Sequence, residues 1–245
     1  MELGLTGKRV LLTGGTRGIG RATALALAAE GMSVIACHRS AGEAATSLAS
    51  RLKELGDGNE VVRADVTDQG EVTRLMERAR IAFGGLDVLV NNVGVDGMVP
   101  FGELAEPEWH RVLDHNVTAA YLVTRASLDL LSDGASVINI GSSVALRGRV
   151  NGVHYTASKA ALIGMTRALC KELGPRRIRV NTISPGLTET EPGAGLPPAA
   201  VERIVGMTAL GRIGQPEDVA NAVVFLAADA STYISGATIN VDGGV

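Results

Sequence analysis

The stretch RVLLTGGTRGIG, residues 9–20, runs a short apolar, strand-like segment straight into a glycine-rich turn, and a helical pattern, RATALALAAEG, carries on from it to residue 31. Gly14, Gly18 and Gly20 let the backbone turn tightly and approach a ligand. A helix starting near Ile19 aims its first N–H groups and its positive dipole end at the same place. A pyrophosphate fits that description, which makes Gly14, Thr16, Arg17, Gly18, Ile19 and Gly20 candidate dinucleotide-binding residues. The spacing is TGxxxGxG instead of GxGxxG, and glycines after a strand also build plain turns. The order strand, turn, helix is therefore what carries the reading.

The same alternation continues to the end of the chain. Strand-like runs at 33–37 (SVIAC), 60–64 (EVVRA), 86–92 (LDVLVNN), 135–142 (ASVINIGS), 179–186 (RVNTISPG) and 236–244 (GATINVDGG) are separated by helical patterns. These helices are expected to about residue 55, over 69–83, from about 107 to 131, over the segment holding YTASK, and from the PEDVANAVVFLAAD segment. Strands that are apolar throughout, spaced this way, mark parallel βαβ units whose sheet is covered on both faces. The expectation is an α/β fold, a Rossmann-type doubly wound parallel sheet of about seven strands with helices on both faces, and 1–245 forming a single domain. Residues 188–207, rich in Gly and Pro between a strand and a helix, read as a substrate lid or as a plain surface loop.

At 245 residues and 46% hydrophobic side chains, the chain can bury one large core. A net charge of -3 with scattered arginines recommends neither nucleic acid nor an anionic membrane as partner. No apolar run approaches the roughly 20 residues needed to cross a bilayer, and the first residues lack a signal-peptide pattern, so a cytoplasmic location is expected. Cys37 and Cys170, the only two cysteines, read as free thiols in a reducing compartment. His110 and His115 do not share a helix face and His154 has no metal-ligand company, so no metal is expected.

Tyr155 and Lys159 are four apart, on one face of a helix. A phenol ordinarily titrates near pH 10, and bringing it to neutral pH requires roughly 4 kcal/mol of preference for the phenolate. A neighbouring ammonium has the right sign to supply it. A bare YxxxK is common by chance, but Ser142 lies thirteen positions before Tyr155 at the end of a strand, where parallel sheets bind their ligands.

Together the glycine motif, NNVG (91–94), YTASK (155–159) and SPG (184–186) resemble the single-domain short-chain dehydrogenase/reductase family over the whole chain and in order. Within that family the likeness is greatest to the 3-oxoacyl carrier-protein reductases and the polyketide ketoreductases. The resemblance implies that Asn116, Ser142, Tyr155 and Lys159 are catalytic, with Tyr155 delivering a proton to a carbonyl that Ser142 orients. Lys159 and Tyr155 also hold the nicotinamide ribose, and Asn116 serves through a water that links the lysine to solvent. It further implies that Asp65 and Val66 meet the adenine and that Asn92 and Gly94 pack over the adenosine. Pro185, Gly186, Thr188 and Thr190 clamp the nicotinamide, although position 188 is more often Ile or Val in the family. Asp68 is the expected cap of the helix after Asp65. The C-terminal NVDGGV resembles a segment that packs across subunits, giving a homotetramer first and a dimer second.

His38, Arg39 and Ser40 occupy the place where NAD enzymes of this fold put a carboxylate on the ribose. A guanidinium matches a 2'-phosphate, and Arg17 adds a second positive charge, so NADP(H) is the expected cofactor. A merely solvated Arg39 would remove that discrimination. The expected activity is NADPH-dependent reduction of a ketone on an acyl, polyketide-derived or other hydrophobic small molecule, free or carrier-bound. The alternatives are an NAD(P)-dependent sugar or secondary-alcohol dehydrogenase and, against the intact Ser142, Tyr155 and Lys159, a non-catalytic nucleotide sensor. Arg147 and Arg149 read as solvated charges or as contacts for an acidic substrate.

Overall fold

The structure is a computed structural model that describes residues 3–40, 42–190 and 198–245. Seven strands, β1 (Arg9–Thr13), β2 (Ser33–His38), β3 (Glu60–Arg63), β4 (Leu86–Asn91), β5 (Leu131–Ile140), β6 (Arg179–Pro185) and β7 (Thr238–Val241), form one sheet in the order β3-β2-β1-β4-β5-β6-β7. Every neighbouring pair is parallel. This is the expected doubly wound sheet, and its order reverses between β1 and β4. Crossovers there leave in opposite directions and open a crevice beyond the strand C-termini.

The apolar strands follow from burial on both faces. Val10 and Leu12 of β1 enter one core with Val34 and Ala36 of β2 and Val88 and Val90 of β4. The residues between them, Leu11, Ile35 and Leu89, enter the other. With a period of two and both sides covered, most strand positions are apolar, and the polar ones that remain, such as Asn91, Asn139 and Thr182, are buried. The first core is covered by helices α1 (Gly18–Ala29) and α9 (Pro216–Ala227), through Ala24, Leu27, Val219 and Val223 among others. The second is covered by α3 (Gln69–Phe83) and α5 (Ala119–Ser127), through Leu75, Met76 and Val123. Helix α2 (Glu43–Leu55) lies between β2 and β3 in the chain, and α3 is capped by Asp68, whose Oδ1 accepts from Glu71 N at 2.8 Å.

Two expected boundaries are corrected. The helix expected from about 107 to 131 is α4 (Glu106–Leu113), a π-helical turn (Asp114–Thr118) and α5, ending at Ser127. Leu128, Leu130 and Leu131 continue the apolar pattern, but Leu131 already belongs to β5 and pairs with Leu86. β5 in turn stops at Ile140, so Ser142 stands two residues beyond the strand. Within 188–207, α8 (Pro198–Met207) is helical and Thr188 bridges Gly214. The segment 191–197 of the expected lid lies outside the described residues.

Helices α6 (Val144–Arg147) and α7 (Val153–Glu172) follow β5. A buried polar ladder fixes α7 against the sheet. Asn91 Nδ2 donates to Asn139 Oδ1 at 2.9 Å, Asn139 Nδ2 donates to Thr166 Oγ1 of α7 at 2.9 Å, and Thr166 meets Thr182 Oγ1 of β6 at 2.7 Å. Asn91 Nδ2 also donates to Thr124 Oγ1, and Thr166 keeps Thr182. Losing Asn139 therefore leaves one buried Asn91 N–H without its acceptor and Thr166 Oγ1 without one of its partners, beside an Asn91 Oδ1 that already has none. We expect Asn139→Ala to cost about 2 to 4 kcal/mol in urea unfolding; a loss below about 1 kcal/mol would show that the ladder does not anchor α7.

Candidate active site

The crevice at the β1/β4 reversal is a cleft of about 1240 Å³. Its first wall is the glycine loop. Gly14 has φ +69 and Gly18 φ +47, conformations that L side chains rarely adopt, and a Cβ on Gly20 would collide with Gly14 O. Asn92 ties this loop to the end of β4, donating from Nδ2 to Thr13 O at 3.0 Å and to Gly14 O at 2.9 Å. Thr13 Oγ1 in turn accepts from Asn92 N at 3.0 Å and Val93 N at 3.1 Å. Thr16, Arg17 and Ile19 line the same wall, and no acidic residue stands in the first turn of α1 to compete for an anion.

At the far end of the cleft β2 delivers His38, Arg39 and Ser40. His38 Nδ1 pairs with Ser40 O at 2.9 Å. Arg39 Nη1 lies 3.1 Å from His115 Nε2, and His115 Nδ1 lies 2.8 Å from Arg111 O. A carbonyl only accepts, so His115 carries its proton on Nδ1 and Nε2 accepts from Arg39. No local pattern points to that partnership, because His115 and Arg39 are 76 residues apart. Asp65 Oδ1 accepts from Thr67 N at 3.0 Å and Thr67 Oγ1 at 2.7 Å. Burial alone would raise the Asp65 carboxyl, but those bonds, with Arg39 and His115, outweigh it and hold the group below the ordinary aspartate value. Val66 lines the cleft beside it.

At the near end Ser142, Tyr155 and Lys159 share the cleft wall with Gly94, Pro185 and Thr190. Lys159 is 4% exposed and its Nζ donates to Ile140 O at 2.9 Å. Burial lowers this ammonium to a pKa of about 8, against a smaller upward pull from Asp96. A Cβ on Gly94 would lie 3.0 Å from both Lys159 Nζ and Asn116 Oδ1, so a side chain there would crowd both groups and push them aside. The expectation that Lys159 lowers the phenol is corrected. Its Nζ is 5.9 Å from the ring centroid, turned to a carbonyl, and burial of Tyr155 raises the phenol, with the Ser142 hydroxyl a partial offset.

Three of the expected residues stand outside the cleft wall. Asn116 is 1% exposed, turned inward by the π-helical turn. Its Oδ1 accepts from Val95 N at 2.7 Å, and its Nδ2 donates to Val95 O at 3.0 Å and Ser158 Oγ at 2.9 Å. It braces the loop after β4. Gly186 packs on Asp242, and its N–H donates to Val241 O at 3.0 Å. Thr188 Oγ1 donates to Gly186 O at 3.3 Å, which spends its hydroxyl on the loop itself. Thr190 does reach across, its side chain 2.8 Å from where a Cβ on Gly18 would lie. Arg149 is the largest miss. It is not a solvated charge but is bound to Asp96, with Cζ 4.9 Å from the Tyr155 ring centroid. Cys37 lies at the cleft floor, buried, with its thiol pushed up to about 12 by desolvation, and so is unreactive.

A family profile described as Enoyl-(Acyl carrier protein) reductase matches residues 14–245. The chain is 38% identical over 248 residues to the 3-oxoacyl-(acyl-carrier-protein) reductase FabG of Aquifex aeolicus, covering 100% of each. It is 35% identical over 247 residues to a 3alpha-hydroxysteroid dehydrogenase of Mediterraneibacter gnavus, covering 99% of this chain and 98% of that one. Among solved structures it superposes on a blue fluorescent protein from a metagenomic library in complex with NADPH, with TM-score 0.93, 37% identity and 98% of each chain covered.

A lysine whose pKa falls on folding makes the unfolded state the better proton binder between about pH 8, its folded value, and its ordinary value near 10.4. Stability therefore rises with pH through that window. Wild type is expected to gain about 3 kcal/mol relative to Lys159→Met between pH 7.5 and pH 10.5 in urea unfolding, and parallel curves would show that the ammonium is not desolvated.

Proposed function

We propose that this chain, which belongs to the short-chain dehydrogenase/reductase family, is an NADPH-dependent ketoreductase acting on an acyl, polyketide-derived or other hydrophobic small molecule. The observation that carries the reading is one cleft with Ser142, Tyr155 and Lys159 at one end and Arg39 at the other, with no carboxylate at 38–40.

The cleft residues fit a dinucleotide. The loop from Gly14 to Gly20 and the first N–H groups of α1 would hold the pyrophosphate, and Arg39, Arg17 and Ser40 the 2'-phosphate. Asp65 and Val66 would meet the adenine, Asn92 and Gly94 the adenosine, Tyr155 and Lys159 the nicotinamide ribose, and Pro185 and Thr190 the nicotinamide, on the loop that Gly186 and Thr188 shape. When bound, the cofactor supplies the hydride. Ser142 orients the carbonyl oxygen, and Tyr155 Oη delivers the proton to it, a contribution of about 10² to 10⁴-fold. Burial keeps the phenol protonated at neutral pH, the form that reduction consumes. Asn116 acts from behind by holding the loop that carries Gly94. Met98 in the loop after β4, Leu146 of α6 and Val150 in the loop before α7 are exposed, which supports an apolar substrate. The likeness to carrier-protein reductases supports a carrier-bound one.

A second reading, NAD(P)-dependent oxidation of a sugar or secondary alcohol, draws on the hydroxysteroid dehydrogenase likeness. We read the assembly as a homotetramer, with a dimer second, because β7 is an edge strand with Tyr233 fully exposed nearby. Among the described residues no helix is long and apolar enough to cross a membrane, which is consistent with the cytoplasmic reading.

NADPH and NADH oxidation followed across β-ketoacyl thioesters, polycyclic aromatic ketones and simple ketones is expected to show a clear NADPH preference, abolished in Arg39→Asp. Equal use of NADH by the wild type contradicts the role of Arg39. Tyr155→Phe is expected to lower turnover by at least about 10²-fold with cofactor binding retained; a nearly active variant would remove Tyr155 as the proton donor.

A further inference from the structure

Arg149, six residues before Tyr155, lies in the loop between α6 and α7 and is held from several sides. Its Nη1 donates to Asp96 Oδ2 at 3.0 Å and its Nη2 to Asp96 Oδ1 at 2.5 Å. Nη2 also donates to Gly97 O at 2.8 Å. Asp96, in the loop after β4, is held in turn, since its main-chain oxygen accepts from Arg111 Nη2 at 2.9 Å. Arg111 is itself bound to Glu108. Val99 N donates to Asn151 O at 2.7 Å and ties the same two loops together a second time. The guanidinium that results from this clasp sits over the Tyr155 ring, Cζ 4.9 Å from the centroid, where the π face attracts a cation.

With both terminal nitrogens engaged by Asp96 and Gly97 and Nε buried without a partner, Arg149 is turned into the protein and is not presented as an anchor for an anionic substrate. We propose that Asp96 and Arg149 form a positioning pair for Tyr155, holding the phenol ring in place and governing how readily it gives up its proton. The inference rests on the reading of Tyr155 as proton donor.

Its physical basis is two opposed charges beside one phenol. The Asp96 carboxylate disfavours the phenolate and the Arg149 guanidinium favours it. Intact, the pair largely cancels; with one member gone, the other acts alone. The other groups facing the phenol are the Ser142 hydroxyl, from the loop after β5, and Lys159, one turn along α7. His154, on the neighbouring position of α7, is fully buried, with Nε2 3.6 Å from Glu108 Oε1 of α4. Of these, Lys159 also responds to Asp96, which draws its ammonium up. With a pKa of about 8 it loses its proton before the phenol titrates, in wild type and in Asp96→Asn alike, so the opposed shifts remain readable.

The test is a tyrosine titration that needs no substrate. The chain has three tyrosines, Tyr121, Tyr155 and Tyr233. Labelling their Cζ with carbon-13 and assigning Tyr155 from its loss in Tyr155→Phe lets its pKa be followed by NMR between about pH 7 and 11.5, with circular dichroism confirming that each variant is folded. Arg149→Met is expected to raise the Tyr155 pKa by about one pH unit and Asp96→Asn to lower it by about as much. Arg149→Lys should restore most of the first change, and the double substitution should return close to wild type. If wild-type Tyr155 does not titrate below pH 11.5, its appearance within the range in Asp96→Asn supports the pair. Single variants that shift the phenol in the same direction or do not shift it within the range, or an Asp96→Asn phenol that stays out of range, would overturn the proposal. A purely structural role predicts slower turnover without opposed shifts. Because the titration is read without turnover, a failure to find any reducible ketone would count against the ketoreductase reading and leave the titration result for the pair unchanged.

Discussion

Lys159 places an ammonium in the interior, 4% exposed and bonded to the Ile140 carbonyl, and much of the local architecture is what makes that tolerable. An unpaired buried charge is costly, so a carbonyl must be available where the side chain ends. β5 provides it by stopping at Ile140 instead of running on through Ser142. Gly94 leaves room for the ammonium, since any Cβ there would crowd it. Asn116 pins the Gly94 loop through both its amide atoms, and it reaches that loop because the helix takes a π turn at 114–118. The ladder from Asn91 through Asn139 to Thr166 holds α7 at the height where Lys159 and Tyr155 both face the cleft. Local burial at one atom thus fixes the geometry of the reacting end.

The two ends of the cleft use charge differently. At the β2 end Arg39 is oriented by His115 and faces a groove with no nearby acid at 38–40, an arrangement suited to an anion. At the reacting end Arg149 is matched by Asp96, so their pulls on the phenol oppose each other while burial raises it. A cofactor phosphate and an uncharged carbonyl ask for that division.

The sheet was legible because parallel strands covered on both faces bury most of their side chains, and mostly apolar runs such as RVLLT and LDVLVN therefore stand out. The glycine loop was legible for a steric reason, since Gly14, Gly18 and Gly20 each stand where a side chain is strained or collides. Helix ends were less so. Leu128 to Leu131 prolong the apolar pattern, and only pairing with β4 decides that Leu131 is strand. The π turn has no compositional mark. Ser142, Tyr155 and Lys159 were found through a family resemblance and their order, but the electrostatics between them were not, because sequence spacing reports a shared face and not the direction in which an ammonium turns. Arg149 and His115 were missed for one reason: their partners, Asp96 and Arg39, lie 53 and 76 residues away, where no local pattern reaches.

The central claim is that hydride from NADPH and a proton from Tyr155 reduce a ketone in this cleft. Transfer of label from NADPH deuterated at the nicotinamide C4 is its most direct measurement, with the product analysed by mass spectrometry and NMR. The account predicts deuterium on the carbinol carbon, from one face of the nicotinamide only, and its near disappearance over the same time in Tyr155→Phe. Product formed without label at that carbon, or labelled equally well by the Tyr155→Phe protein, would contradict it.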